Sequence, residues 1–210
     1  MERGVADAIG AGIDIKQETG AAIVNIGGET TDISVLSRGG IVLNRLLKTG
    51  GASIDRAIIT LVRRHLDFVI GRLTAEAVRI QSSVFGEEQG HAVMAAGRDL
   101  VRSRPGIKEI PDYIVRTAVK EFLKPCGEAV SLMLEQAPPD VLAAIRKRGI
   151  CLTGGIACTK GLDRYMEEKT GIPFYTVKEP HLSAIRGVRD ILLSDDLKDL
   201  AYSMKDENYR

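Results

Sequence analysis

One stretch constrains this chain more than any other: Ile23-Val24-Asn25-Ile26-Gly27-Gly28-Glu29-Thr30-Thr31-Asp32-Ile33-Ser34-Val35-Leu36. Two apolar, β-branched runs flank a glycine pair and a threonine pair, which reads as strand, tight turn, strand. Glycine in such a turn accepts positive φ and leaves the backbone bare, while hydroxyls and free N–H groups face whatever lies in front. A phosphate-binding hairpin has this build. Taken alone, a glycine pair between strands is most often only a turn. A second glycine turn stands far away in the sequence, where Ile150-Cys151-Leu152-Thr153-Gly154-Gly155-Ile156 closes another apolar run before a helix starting near Gly161-Leu162-Asp163. Two such turns can face one cleft.

Around them the chain alternates strand and helix patterns. A short helix tail at 5–9 is ended by Gly10 and Gly12. The hairpin of 22–36 and a third strand at 41–47 form a meander. Gly50-Gly51 opens a helix with Ser53 as its expected N-cap and with Ile54, Ile58, Leu61, Val62 and Leu66 on one face. A further helix is expected from Thr74, a polar turn at 86–90, and two strands at 91–96 and 107–110 joined by a loop holding Arg104-Pro105-Gly106. A long helix follows, with Ile114, Ala118, Phe122, Cys126, Ala129, Val130 and Met133 in a stripe and Pro125 as an expected kink. Pro138-Pro139 starts another. A strand at 172–177 and helical segments at 182–193 and 197–204 complete the pattern, and Ile185, Val188 and Leu192 are expected to form an exposed apolar patch.

The blocks resemble the actin-like ATPases, and among these the MreB-type bacterial actins. The resemblance is carried in order by Ala8-Ile9-Gly10-Ala11-Gly12, the hairpin, Gly39-Gly40-Ile41-Val42, Gly50-Gly51, Arg63-Arg64 before Ile70-Gly71 and Thr74-Ala75-Glu76, Gly97-Arg98-Asp99-Leu100, Pro138-Pro139, Arg148-Gly149-Ile150 with Leu152-Thr153-Gly154-Gly155, Gly161-Leu162-Asp163, and Thr170-Gly171-Ile172-Pro173. Sugar kinases and heat-shock chaperone ATPases share the two glycine turns, but the blocks between Arg63 and Leu100 fit the MreB type better. The resemblance implies an α/β fold of the actin-like ATPase (ribonuclease H-like) class: a mixed sheet flanked by helices, with a small α+β insertion. It covers the second half of that fold, with 1–70 and 151–210 as subdomain IIA and 71–150 as the inserted IIB.

By the same resemblance the hairpin is a phosphate loop, formed by Asn25, Gly27, Gly28, Glu29 and Thr30. The second turn is an adenosine loop of Gly154, Gly155 and Ile156, with Arg79 and Gln81 near adenine or ribose. ATP or ADP with Mg²⁺ is the implied ligand, bound weakly. Three residues depart from the family pattern. Asn25 stands where a metal-orienting aspartate is expected and brings no negative charge. Glu29 replaces the third glycine of the phosphate loop and sets a carboxylate against phosphate charge. Arg3 occupies the place of a water-positioning glutamate, and Glu2, one place away, is rotated by about 100° on a helix. No catalytic residue and no metal ligand is therefore assigned. One reading is the nucleotide-binding half of a cell-shape actin, which alone hydrolyses nothing; the other is a degenerate actin-like module that serves as a non-catalytic scaffold. Self-association, other actin-like protomers and cell-shape proteins are the implied partners.

Composition sets the outer bounds. The chain's 210 residues, 44% hydrophobic and 27% charged, suffice for one sizeable core or two small lobes. Lys and Arg number 29 against 28 Asp and Glu, a net charge of +1, so no global field draws the chain to nucleic acid or anionic lipid. Cys126, Cys151 and Cys158 lack zinc-site spacing and are odd in number, which fits reduced thiols in a cytoplasm; Cys151 and Cys158 read as buried small residues. His65, His91 and His181 lie in separate segments and read as surface or turn residues. No run approaches the roughly 20 apolar residues that span a bilayer, and the first residues do not resemble a signal peptide.

Overall fold

Strand alternation decides the architecture. The computed structural model describes residues 2–82, 84–85 and 91–200. In chain order it contains α1 (Arg3–Gly10), β1 (Ala21–Ile26), β2 (Thr31–Ser37), β3 (Gly40–Leu47), α2 (Gly51–Leu66), β4 (Phe68–Val69), α3 (Arg72–Gln81), β5 (Val93–Asp99) and β6 (Arg104–Ile110). Then come α4 (Asp112–Gln136), α5 (Pro139–Arg148), β7 (Ile150–Thr153), α6 (Leu162–Thr170), β8 (Phe174–Thr176) and α7 (Ser183–Leu193), with 3₁₀ segments at Gly155–Cys158, Pro180–Leu182 and Asp195–Leu200.

The main sheet has the order β3-β2-β1-β7-β8. The meander β1-β2-β3 is antiparallel, whereas β7 joins β1, and β8 joins β7, in parallel. Every residue of β1 is buried, because helices cover both faces of the sheet. Ala22, Val24 and Ile26 point into the larger core with Ile54, Ile58, Val115 and Leu152, while Ala21 and Ile23 point the other way, into a second core with Val5, Ala8, Cys151 and Ile191. This is the period of two expected of a strand. On that second side α1 and α7 cross closely, since a Cβ added to Gly10 would stand 1.8 Å from the Ser183 carbonyl oxygen and one on Gly187 would stand 1.8 Å from that of Ala6. Only hydrogen at both positions allows the approach.

A smaller antiparallel sheet, β4-β5-β6, carries the segment between α2 and α4. Arg104, Pro105 and Gly106 belong to β6 and not to a loop; the turn occupies 100–103, where the Asp99 carboxylate accepts the N–H groups of Val101 and Arg102, each at 2.9 Å. Pro105 is tolerated because β6 is an edge strand. Two helix starts also differ from expectation. The N-cap of α2 is Gly50 rather than Ser53, and α3 begins at Arg72 rather than Thr74. In α2 the cap is supplied from outside, because the N–H groups of Gly51 and Ala52 donate to the carbonyls of Gly27 and Gly28 at 2.9 and 2.7 Å. The helix start is thereby fastened to the hairpin turn.

All seven predicted stripe residues of α4 are buried, and the helix continues across Pro125. On α7, Ile185 and Leu192 are exposed as expected, joined by Leu193, whereas Val188 is half-buried. The polar turn expected at 86–90, and the part of the last expected helix beyond 200, lie outside the described residues.

Candidate functional site

In the parallel ladder between β1 and β7, Asn25 is paired with Thr153. Both chains then turn at the same edge, so the two glycine turns emerge side by side. Ligands of open α/β sheets gather at these carboxyl ends. The hairpin is closed by the Gly27 N–H donating to the Thr30 carbonyl at 2.9 Å. Gly154 has φ +86°, and a Cβ there would lie 2.4 Å from the Ile26 carbonyl oxygen, so this turn admits only glycine. Gly28 and Gly155 differ from it: a Cβ on either would meet open space.

That space is a cavity of about 340 Å³ lined by Gly27, Gly28, Gly51, Ala52, Asp55, Arg72, Glu76, Arg79, Ile80, Gly155 and Ile156. A second cavity of about 260 Å³, which shares Arg79, Ile80 and Gly155 with it, adds Gln81, Ser82, Val84, Cys158, Thr159 and Lys160. Of the predicted residues, Gly27, Gly28, Gly155, Ile156 and Arg79 thus line one hollow and Gln81 its neighbour. A larger cavity of about 780 Å³ lies between α4 and α6, and neither glycine turn reaches it.

The remaining predicted residues lie around the rim or beneath the floor. Glu29 is exposed and pairs with Arg72 at 3.3 Å, so its carboxylate is drawn across to the start of α3. Thr30 accepts a hydrogen bond from Arg3 Nη1 at 3.3 Å, which sets a guanidinium beside the hairpin. Ile156 is only 4% exposed and serves mainly as packing against α2, its Cδ1 lying 3.0 Å from where a Gly51 Cβ would be. Arg79 does not lie on a solvated helix face: its Nε donates to Asp55 Oδ1 at 2.7 Å inside the α2–α3 interface.

Under the floor, Asn25 Nδ2 donates to Asp7 Oδ2 at 2.7 Å. Burial pushes the Asp7 carboxyl up to about 6, against the opposing pull of Asn25, Thr153 and Arg3, with Asp32 adding to the rise. Asp7 Oδ1 and Thr153 Oγ1 are buried without a hydrogen-bond partner. Asp7, Asp55 and Arg72 were absent from the sequence-based site. The signal for the first two was there: each is an acid set among small or apolar residues on the buried side of a helix, where a charge needs a reason.

Among the described residues no group of His, Cys, Asp and Glu could hold a metal ion by itself, and no helix is long and apolar enough to cross a membrane. Cys151 is buried as expected, but Cys158 is exposed at the cavity rim, its Sγ 3.7 Å from His181 Nδ1.

A mixed five-stranded sheet covered on both faces, with two glycine turns converging at the ends of neighbouring parallel strands, defines the class as an actin-like ATPase fold. The similarity to the crystal structure of MreB5 of Spiroplasma citri bound to ADP agrees, with a TM-score of 0.88 at 28% identity over 95% of this chain and 61% of that one. The chain belongs to the MreB/Mbl family, whose "MreB/Mbl protein" family model matches residues 1–199. It is 36% identical over 188 residues to the cell shape-determining protein MreB of Escherichia coli (strain K12), which covers 89% of this chain and 54% of that protein. To the cell shape-determining protein Mbl of Bacillus subtilis (strain 168) it is 35% identical, over 82% of this chain and 52% of that protein. The chain therefore spans about half the length of these curated relatives.

Proposed function

We propose that this chain supplies one wall of an adenine-nucleotide cleft in an MreB-type cytoskeletal actin, acting in the cytoplasm in the maintenance of cell shape. The carrying observation is that Gly27, Gly28 and Gly155 line one cavity although they are far apart in the sequence. The bare faces of Gly28 and Gly155 leave room for a ligand to touch backbone from both sides. Phosphates would lie against the hairpin, where the α2 start contributes the positive end of its dipole and Arg3 and Arg72 add charge. The adenosine would lie along α3, between Arg79 and Gln81 on one side and Gly155 and Lys160 on the other. The ADP held by the S. citri relative supports the ligand class.

Magnesium would come with the phosphates and be held by them and by water, since no ligand cluster stands among the described residues. A division into IIA, residues 1–70 and 151–210 with the five-stranded sheet, and an inserted IIB, residues 71–150 with β5 and β6, goes with this reading. So does self-association with actin-like protomers.

A second reading, a binding or scaffold module without catalysis, is favoured by one contact: Arg3, not an acid, reaches Thr30 at the hairpin. A guanidinium there can hold a phosphate but cannot take a proton from water. Calorimetric titration with ADP and ATP tests the first reading. Saturable binding at micromolar to millimolar concentration, abolished by a side chain at Gly28, is the expected result. Absence of heat with both nucleotides at millimolar concentration would overturn it.

A further inference from the structure

Asn25 has two faces, and Asp7 decides which one meets the cleft. The amide nitrogen donates inward to Asp7 Oδ2 at 2.7 Å. An ionised carboxylate only accepts, so the bond fixes the amide with nitrogen inward and oxygen outward. Outward is the notch between the two glycine turns: Asn25 Oδ1 lies 2.9 Å from where a Cβ of Gly154 would stand and 3.7 Å from that of Gly27.

An oxygen at this place repels phosphate and attracts a donor. The donor that travels with a nucleoside polyphosphate is the water shell of its Mg²⁺, which that ion gives up reluctantly. Asp7 is only 1% exposed and cannot reach the ion itself.

We propose that Asp7 is a positioning residue: by holding the Asn25 amide nitrogen it presents Asn25 Oδ1 to a water of the Mg²⁺ that accompanies the bound nucleotide. Acid and amide together do the work of one carboxylate at position 25. The inference rests on the nucleotide reading above. It has a specific corollary: without Asp7 the amide is free to turn and offer its nitrogen, a donor, directly to phosphate. Metal-free nucleotide then gains and the metal complex loses.

The test compares ADP affinity in excess EDTA with affinity in excess Mg²⁺, by calorimetry on the full chain. Wild type is expected to bind about tenfold more tightly with the metal, which corresponds to about 1.4 kcal/mol. Asp7→Ala is expected to lose that ratio while keeping or improving its metal-free affinity. The double variant Asp7→Ala, Asn25→Asp returns a carboxylate to the notch and is expected to restore the ratio. Asp7→Ala with an undiminished ratio overturns the inference, as does a folded double variant without one. If Asp7→Ala does not fold, the double variant set against Asn25→Ala decides. Wild type that binds ADP equally with and without metal overturns this inference and leaves the nucleotide reading standing; wild type that binds ADP under neither condition removes both.

Discussion

Arg79 Nε meets Asp55 Oδ1 at 2.7 Å between α3 and α2, and the two side chains are only 10% and 4% exposed. Removing Asp55 leaves Arg79 in a poorly solvated place with only the longer, half-exposed contact to Glu76 Oε1 at 3.7 Å. Asp55→Ala is expected to cost about 3–5 kcal/mol in urea denaturation, and replacing both partners by apolar residues of similar size, Asp55→Leu with Arg79→Met, should recover most of it. A loss in the double variant as large as in the single one would show that the pair holds more than itself.

The crossing of α1 and α7 gives a steric prediction. A methyl group at Gly187 would stand 1.8 Å from the Ala6 carbonyl oxygen, within two backbones that have no side-chain freedom to yield. Gly187→Ala should lower stability by about 1–3 kcal/mol or more, the range of overpacked cores. Gly40→Ala, where a Cβ meets open space, serves as the control and should change little.

Asp7 makes stability depend on pH in an unusual direction. Burial pushes its folded carboxyl up to about 6, above the ordinary carboxylate value of 3.8 that applies when unfolded. Between these values the folded state holds more protons than the unfolded one, so this group's contribution is full below about pH 4 and is lost as pH rises through 6. Two pKa units correspond to about 3 kcal/mol. Asp7→Asn, which cannot ionise, should therefore unfold at a higher temperature than wild type at pH 8, and the gap should close by pH 4. Parallel melting curves across that range would contradict the assignment.

The two glycines of the second turn should separate stability from binding. Gly154→Ala forces a side chain into positive φ and against the Ile26 carbonyl and should destabilise the fold. Gly155→Leu fills open space and should leave the melting temperature nearly unchanged while weakening nucleotide binding by tenfold or more. Equal effects on both measurements from both variants would count against the cavity as the site.

Thiol chemistry gives a simple check on burial. Cys126 and Cys151 are buried, and desolvation pushes their thiols up to about 11 and about 12; Cys158 is exposed. One of the three cysteines should react quickly with a disulfide reagent in native buffer, and all three in denaturant.

The sheet was legible because its strands are short, β-branched and bounded by glycine: β1, β2 and β3 fall within a residue or two of where alternation puts them. The stripe of α4 was legible for the same reason, at helical period. Boundaries set by distant partners were not. The α2 cap comes from the carbonyls of Gly27 and Gly28, so no local cap residue announces it, and Pro105 reads as a loop until its strand is known to be an edge. In the site, the two glycine turns were visible as turns, but that β7 lies directly beside β1 is a matter of topology. Asp7 and Asp55 escaped because their partners, Asn25 and Arg79, are remote in sequence and nothing local pairs them.

The parallel pairing of β1 with β7 has a mechanical consequence. The two glycine turns are set apart by one strand spacing, about 4.8 Å, and cannot spread without breaking the ladder between them. The floor of the cleft is therefore held, and α3 forms its side wall. That helix is tied near its end by the buried pair of Arg79 with Asp55 and at its start by the exposed pair of Arg72 with Glu29. Exposed ion pairs hold weakly and weaken further with salt. Glu29, placed where a glycine was expected, thus ties the tip of the hairpin to the start of α3 by a contact that salt weakens.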